Sequence, residues 1–296
     1  IALSIFEQDF HWNLEHDMLD SSFNGMYRSL FQFAQFPSFK KGLLLTTSPP
    51  QQPEELEIKL PKELTEEQKS IFQQAISAKD YFLLWGPPGT GKTSMMLKNI
   101  VSYLLNETDE NILLLAYTNR AVDEICEAIV SIDKYAKEEY LRLGSAHSCG
   151  VDYHDQLFNS KIANISNRKE LRGIIDNHRI FVSTVAGIAG KREIMQLKTF
   201  DRVIIDEASQ IPEPMLVGLL PHFKLFLLIG DHKQLPAVVV QSPQNSKVED
   251  EELNNIGLKN LRDSLFERMY KRCVENNWTW AFARLSHQGR MHKDIM

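Results

Sequence analysis

The chain has few of the features that mark secreted or membrane proteins. It contains only three cysteines, Cys126, Cys149 and Cys273, which are scattered and form no C-x-x-C pair. That number is too small for a disulfide framework and indicates a reducing compartment. No apolar run approaches the ~20 residues that a helix needs to cross a bilayer, and residues 1–20 lack the order of a signal peptide. We therefore expect an intracellular protein, cytoplasmic or nuclear, with no membrane partner.

The chain also lacks an excess of positive charge. It carries 33 Lys and Arg against 39 Asp and Glu among 296 residues, which gives a net charge of −6. Any nucleic-acid surface must therefore be local rather than spread over a whole face. The hydrophobic fraction of 43% suffices for one large domain or two modest ones. Because the chain begins at Ile1 rather than Met, we interpret it as a fragment.

The most informative motif that is present is an eight-residue run matching the phosphate-binding P-loop at every defined position. It lies between a strand-like stretch, 81–85, and a helix-like stretch, 94–101, as the motif requires. Its glycines let backbone N–H groups converge on phosphates, its lysine reaches the β- and γ-phosphates and its last hydroxyl binds Mg²⁺. The run is Gly86, Pro87, Pro88, Gly89, Thr90, Gly91, Lys92 and Thr93.

Two adjacent carboxylates follow a later apolar strand, 203–205. We expect Asp206 to be the second Mg²⁺ partner, because a P-loop site needs a carboxylate for the metal. Glu207 is then placed to polarise the attacking water, which favours a hydrolase over a mere nucleotide binder. A third apolar strand, 225–229, leads to Gln234 at the same predicted sheet edge, where this residue could sense the γ-phosphate.

Strand-like runs alternate with helical patterns after a proline-rich linker, 46–53, and a further break at Pro61. This alternation predicts an α/β P-loop NTPase with a parallel sheet flanked by helices. Thr65 and Gln68 form a capping-box pattern at the start of the first helix. We place a boundary near residues 46–61, after a small aromatic-rich N-terminal region. The predicted strands are 81–85, 112–117, 180–184, 202–206 and 225–229, and the predicted helices include 120–132 and 167–175.

In order and spacing, several motifs resemble those of superfamily 1 helicases over about residues 64–296. The similarity is greatest to the branch, 1B, that contains the nonsense-mediated-decay helicase and senataxin. The motifs are Gln68, 86–93, 117–124, 183–186, 206–210, 230–236, 264–268 and 288–292.

The resemblance implies roles for further residues. Gln68 would read the adenine, so that the nucleotide is ATP. Arg290 would be the arginine that neutralises charge developing on the γ-phosphate. A single-strand track would hold phosphates without reading sequence. The implied track residues are Thr118, Asn119, Ser183 and Thr184.

The resemblance also implies that the sheet is RecA-like and that the chain divides into an N-terminal accessory region (1–60), an ATPase domain (61–286) and the start of a second RecA-like domain (287–296). This second domain would follow in cis, with a later arginine finger. Such an arginine is worth about 10³–10⁵ in rate in related phosphoryl-transfer sites, so we expect the fragment alone to hydrolyse ATP slowly. The last motif departs from the family pattern Q-Y-R-M-H-P, because Gly289 replaces the tyrosine and Lys293 the proline. The N-terminal accessory region would correspond to part of the family's barrel and stalk.

These features together predict an ATP-binding motor domain of an ATP-dependent helicase or translocase that acts on single-stranded DNA or RNA, with 5′ to 3′ travel implied by the branch. The cofactors would be ATP and Mg²⁺. An alternative is a non-catalytic, ATP-switched nucleic-acid-binding or scaffold protein. A signalling GTPase is a weaker alternative, because the sequence has no Asn-Lys-x-Asp base-reading motif.

Overall fold

A single parallel sheet organises the protein. The computed structural model describes residues 22–133, 135–234, 239, 241–287 and 289. Within them seven strands pair in the order β3-β4-β2-β5-β6-β1-β7, and each neighbouring pair is parallel. The strands are β1 (Tyr81–Trp85), β2 (Ile112–Ala116), β3 (Tyr140–Arg142), β4 (Ile180–Thr184), β5 (Arg202–Ile205), β6 (Leu225–Gly230) and β7 (Phe282–Arg284).

Helices cover both faces of the sheet, and each face has its own cluster of buried apolar side chains. The three central strands, β2, β5 and β6, are buried along their whole length because both of their faces are covered. The α-helices are α1 (Ser22–Gln35), α2 (Ser38–Leu44), α3 (Glu66–Ser77), α4 (Lys98–Glu107), α5 (Asn119–Val130), α6 (Phe158–Ile162), α7 (Arg168–Asn177), α8 (Val185–Ala189), α9 (Arg192–Leu197), α10 (Glu213–Leu216), α11 (Glu251–Asn255) and α12 (Leu265–Glu275).

This architecture confirms the predicted α/β, RecA-like sheet. Strands β1, β2, β4, β5 and β6 fall within one residue of the predicted ranges, and α5 and α7 within two residues. The two short edge strands, β3 and β7, were not predicted. The helix expected after the P-loop begins as a π-helical turn, Lys92–Leu97, before it continues as α4.

The N-terminal helices pack against the α/β core. Leu44 at the end of α2 belongs to the same buried cluster as the central strands. Arg268, which is 1% exposed, donates to the Leu44 carbonyl and forms a bidentate ion pair with Glu213. The Ser29 hydroxyl of α1 accepts a hydrogen bond from the Gly218 N–H. Buried polar contacts therefore link α1 and α2 to the segments that follow β5.

The topology brings the polar residues of the motifs to one edge. The carboxyl ends of β1, β2, β4, β5 and β6 all lie there because the strands are parallel. None of the helices in the described part of the chain is long and apolar enough to cross a membrane.

Candidate active site

A cavity of about 1000 Å³ lies at the carboxyl edge of the sheet. Its floor is the P-loop, between β1 and the π-helical turn, and its walls come from α3, α5 and the ends of β5 and β6. Three groups of predicted site residues meet there: P-loop residues 87–93, the adenine candidate Gln68, and the catalytic candidates Glu207 and Gln234. The cavity is large enough for a nucleotide.

The P-loop requires glycine at two places for different reasons. A Cβ at Gly86 would lie 2.2 Å from Cγ of Lys92, so any side chain would displace the lysine. Gly91 has a φ of +79°, in the left-handed region that favours glycine. These two residues let the loop fold tightly over the Lys92 stem, which is buried, while the ammonium group stays at the cavity. The Thr90 hydroxyl stabilises the loop by donating to the Pro87 carbonyl at 2.8 Å.

Thr93 and Asp206 meet as the sequence predicted for a metal site. The Thr93 Oγ1 donates to Asp206 Oδ2 at 2.6 Å, across 113 residues of sequence. Asp206 is only 2% exposed. Burial raises the pKa of this carboxyl to about 6, and the neighbouring Glu207 charge acts in the same direction, whereas the Thr93 hydrogen bond opposes the shift.

Magnesium fits this pair of oxygen donors. Mg²⁺ is held by one or two protein oxygens together with nucleotide phosphates and water, rather than by a full protein cage. The described residues contain no cluster of three or more His, Cys, Asp or Glu side chains that could hold an ion unaided. Thr93 and Asp206 would hold the ion, and its charge would stabilise the developing charge on the phosphates.

Glu207 occupies a strained position beside the lysine. Its φ of +53° lies in the left-handed region, which is uncommon for a residue other than glycine. The Lys92 Nζ lies 3.9 Å from Glu207 Oε1, and the Gln210 amide donates to Glu207 Oε2 at 3.2 Å. This carboxylate is about a quarter exposed and faces the same cavity as the P-loop. It can therefore act on a water molecule next to a bound triphosphate.

Gln68 links the start of α3 to the P-loop. Its backbone N–H donates to the Thr65 hydroxyl, and its side-chain oxygen accepts from the Thr65 N–H, which completes the predicted capping box. The side-chain nitrogen also contacts the Thr90 carbonyl at 3.4 Å. Gln68 is thus fixed at the cavity wall, where its amide can face a base.

Gln234 lines the same cavity as Gln68. Its amide nitrogen donates to Asp231 Oδ2 at 2.9 Å. Asp231 is 2% exposed and also accepts from the Trp85 indole N–H at the end of β1. The aromatic surroundings of Trp85 include His232, whose pKa is lowered by burial.

The predicted track residues lie at the ends of β2 and β4. Thr118 caps α5 by accepting from the Ala121 N–H, and Thr184 caps α8 by accepting from the Gly187 N–H. Thr118 and Asn119 are exposed, and Thr184 is partly exposed. Ser183 lies one residue below this surface, is fully buried, and donates its hydroxyl to the Leu143 carbonyl.

The chain segment after β7 returns to the nucleotide cavity. The Gly289 N–H donates to the Gly89 carbonyl of the P-loop at 2.9 Å. Glu67, beside the adenine candidate, accepts from the Ser286 N–H and contacts His287 Nδ1, each at 3.0 Å. Arg290 lies outside the described residues.

Sequence reasoning missed the residues that hold these groups in place. Gln210 and Asp231 were included in motifs but given no role, and Trp85 was treated only as part of a strand. The signal for Asp231 was its place directly after a buried strand, at the same edge as Asp206. Their contacts depend on side-chain directions, which the sequence pattern does not show.

The chain is similar in sequence to known proteins. A family model described as an AAA domain matches residues 68–240. The chain is 34% identical over 240 residues to the DNA replication ATP-dependent helicase/nuclease DNA2 of Mus musculus, an alignment covering 79% of this chain and 20% of that protein. It is 30% identical over 295 residues to the DNA replication ATP-dependent helicase/nuclease JHS1 of Arabidopsis thaliana, covering 96% and 20%.

A third relative is the DNA2 protein of Gallus gallus, at 32% identity over 288 residues, where the alignment covers 96% of this chain and 26% of that protein. The chain therefore spans about a fifth to a quarter of the length of these relatives.

Proposed function

The chain belongs to the AAA-domain family, and we propose that it is the ATP-binding motor domain of a superfamily 1 helicase or translocase that acts on single-stranded DNA or RNA. The contact between Thr93 and Asp206, with Glu207 beside it, is the observation that carries this proposal. Thr93 and Asp206 would hold the metal ion and Glu207 would act as the base, at one end of the P-loop cavity.

In this proposal each residue of the site has a separate role in ATP hydrolysis. Lys92 and the P-loop N–H groups bind the β- and γ-phosphates, and Thr93 and Asp206 hold Mg²⁺, which neutralises phosphate charge. Glu207 accepts the proton of the attacking water. Gln68 selects adenine. Arg290 neutralises charge on the γ-phosphate when the site closes.

Thr118, Asn119 and Thr184 would form the single-strand track, at the same sheet edge as the ATP site, and the buried Ser183 would support it from below through its hydrogen bond to the Leu143 carbonyl. ATP-dependent closure could then move the track relative to a second RecA-like domain. The hydrolysing unit would comprise residues 61–286, followed by that domain from residue 287 onward and preceded by an accessory region. Travel from 5′ to 3′ and membership of the 1B branch belong to the same proposal.

The relatives supply independent support for helicase function. Their names describe ATP-dependent helicase/nucleases of DNA replication. The matched region includes the whole P-loop cavity floor and both carboxylates. These names favour DNA as the proposed track of the present chain.

The decisive experiment measures ATP hydrolysis with and without single-stranded DNA and RNA, on protein that includes the proposed second RecA-like domain. We expect hydrolysis to rise strongly with one polymer. Glu207→Gln should lower the rate by about 100-fold or more while ATP affinity changes little, because it removes the base and keeps the shape. Glu249→Gln, the same change at an exposed residue away from the cavity, should have no effect.

Two results would contradict this proposal. ATP binding without polymer-stimulated turnover would favour an ATP-switched binding protein or scaffold. Full activity of the Glu207→Gln protein would show that another group activates the water.

A further inference from the structure

We infer that Asp231 is a positioning residue that fixes the side-chain amide of Gln234 so that its carbonyl oxygen, rather than its NH₂ group, faces the nucleotide. The inference rests on the proposed ATP hydrolysis and gives Gln234 a defined chemical task within it.

Asp231 is held rigidly at the end of β6. Its Oδ1 accepts from the Trp85 indole N–H at 2.8 Å and from the Lys233 backbone N–H at 3.0 Å. Its own N–H donates to the Ser209 hydroxyl at 3.1 Å. The side chain is buried, so these contacts leave it one orientation. Its second oxygen, Oδ2, points to Gln234.

The carboxylate determines which end of the Gln234 amide it contacts. An ionised carboxylate can only accept hydrogen bonds, and Asp231 accepts from three N–H groups. The amide must therefore present its NH₂ group to Oδ2. Among the residues that the structure describes, none donates to the Gln234 carbonyl oxygen, and Gln234 lines the cavity together with Lys92 and Glu207. The group left for a ligand is thus an acceptor.

An acceptor at this place suits the orientation of water better than the binding of phosphate. A water that donates one hydrogen to Glu207 and the other to the Gln234 oxygen must direct a lone pair elsewhere, toward the γ-phosphorus. The water oxygen forms the new bond to phosphorus, and the bond to the β–γ bridging oxygen breaks. One water proton passes to Glu207, and ADP leaves with the bridging electron pair.

The opposite amide orientation would have the opposite effect on binding and turnover. An NH₂ group facing the γ-phosphate would donate to it directly, which strengthens nucleotide binding. It would also remove one of the two acceptors that orient the water. The two orientations can therefore be distinguished by comparing affinity with rate.

Asp231→Asn should reverse the amide without changing the shape of the site. The asparagine oxygen can still accept from Trp85 and Lys233, which places the new NH₂ group opposite Gln234. Gln234 must then rotate its amide to accept that hydrogen bond, so its own NH₂ group turns to the cavity.

The first measurement is the affinity of the 296-residue chain for ADP and for a non-hydrolysable ATP analogue with an imido bridge. We expect Asp231→Asn to raise the affinity for the analogue relative to ADP by about three- to tenfold, the effect of one charge-assisted hydrogen bond partly screened by water. In protein that includes the proposed second RecA-like domain, the same substitution should lower polymer-stimulated hydrolysis by about tenfold or more.

Gln234→Ala provides the second test. If Asp231 acts through Gln234, the Asp231→Asn/Gln234→Ala protein should match Gln234→Ala in both affinity ratio and rate. Asp263→Asn is the matched control, since it makes the same change at a half-buried aspartate that does not line the cavity. It should leave the affinity ratio unchanged.

An unchanged or lower affinity ratio in Asp231→Asn would overturn the inference. So would losses that add to those of Gln234→Ala, because these would indicate a purely structural role. If the unsubstituted protein shows no stimulated hydrolysis, the proposed function fails. The affinity ratio in the 296-residue chain would still report the amide orientation on its own.

Discussion

At the scale of single residues, Asp206 shows how burial changes the protonation of the proposed metal ligand. Its carboxyl is almost fully buried, and burial raises its pKa to about 6. A carboxyl whose pKa is higher in the folded protein than in the unfolded chain binds more protons when folded. Its contribution to stability is therefore greatest below the unfolded pKa near 3.8 and is lost as the pH rises through about 6.

Asp206→Asn should remove this pH dependence. Without nucleotide or metal, we expect the free energy of unfolding of the variant relative to the unsubstituted protein to rise by roughly 2 kcal/mol between pH 4.5 and 7.5. Urea unfolding at several pH values measures the difference. The variant should also lose the tightening of ATP binding by Mg²⁺. A stability difference that does not change with pH would show that Asp206 titrates normally.

The residues that could be predicted from sequence are those whose roles follow from backbone motifs. The P-loop is recognised from its motif, and Asp206 and Glu207 are recognised from their position after a strand. The hydrogen bond from Thr93 to Asp206 shows that the two proposed metal ligands lie together. The capping box of Thr65 and Gln68 was likewise read from local spacing. Asp231 and Gln210 act through side-chain hydrogen bonds whose direction depends on tertiary packing, so no local pattern revealed them.

At the scale of elements, the docking of α1 depends on one glycine. A Cβ built at Gly218 would lie 2.3 Å from the Ser29 carbonyl oxygen and 2.6 Å from its Cα, both backbone atoms that cannot rotate away. The Gly218 N–H also donates to the Ser29 hydroxyl at 2.8 Å. Close backbone approach at this point therefore acts together with the packing of Phe33 of α1 against the buried cluster.

Gly218→Ala should therefore displace α1 while the sheet stays intact. We expect amide hydrogen exchange in residues 22–35 to accelerate and the free energy of unfolding to fall by about 1–3 kcal/mol. Gly173→Ala is the matched control, because nothing lies within 4 Å of a Cβ there and the residue is inside α7. That change should be neutral or stabilising by up to about 1 kcal/mol. Unchanged exchange in α1 of Gly218→Ala would show that the contact is dispensable.

The two strands that the sequence did not predict, β3 and β7, were missed for the same physical reason. β3 and β7 have three residues each and lie at the two edges of the sheet. Such short strands show no usable period, and Arg142 in β3 looks like a surface residue although it is 1% exposed. It is buried because it pairs with Asp123 of α5 at 2.8 Å, a partner that only the folded chain provides. The five longer strands carry continuous apolar runs, so they were predicted correctly.

At the scale of the whole molecule, net charge constrains how a polymer could bind. The chain carries a net charge of −6, which repels a phosphate backbone at long range. The proposed track residues Thr118, Asn119 and Thr184 are neutral. The two threonine hydroxyls accept from helix N–H groups and retain a hydrogen that can donate to a phosphate. Binding would then rely on short-range hydrogen bonds rather than on displaced counterions.

Affinity for single-stranded DNA or RNA should consequently depend only weakly on salt. For single strands, the logarithm of affinity falls with the logarithm of salt concentration by about 0.7 for each phosphate neutralised. We expect a slope no steeper than about −2, measured by fluorescence anisotropy between 50 and roughly 300 mM salt. Thr184→Ala should weaken polymer binding without changing the slope. Thr184→Ser should bind the polymer as tightly as the unsubstituted protein, because serine keeps both the helix cap and the hydroxyl. A slope of about −4 or steeper would show that lysine and arginine side chains elsewhere on the surface bind the polymer.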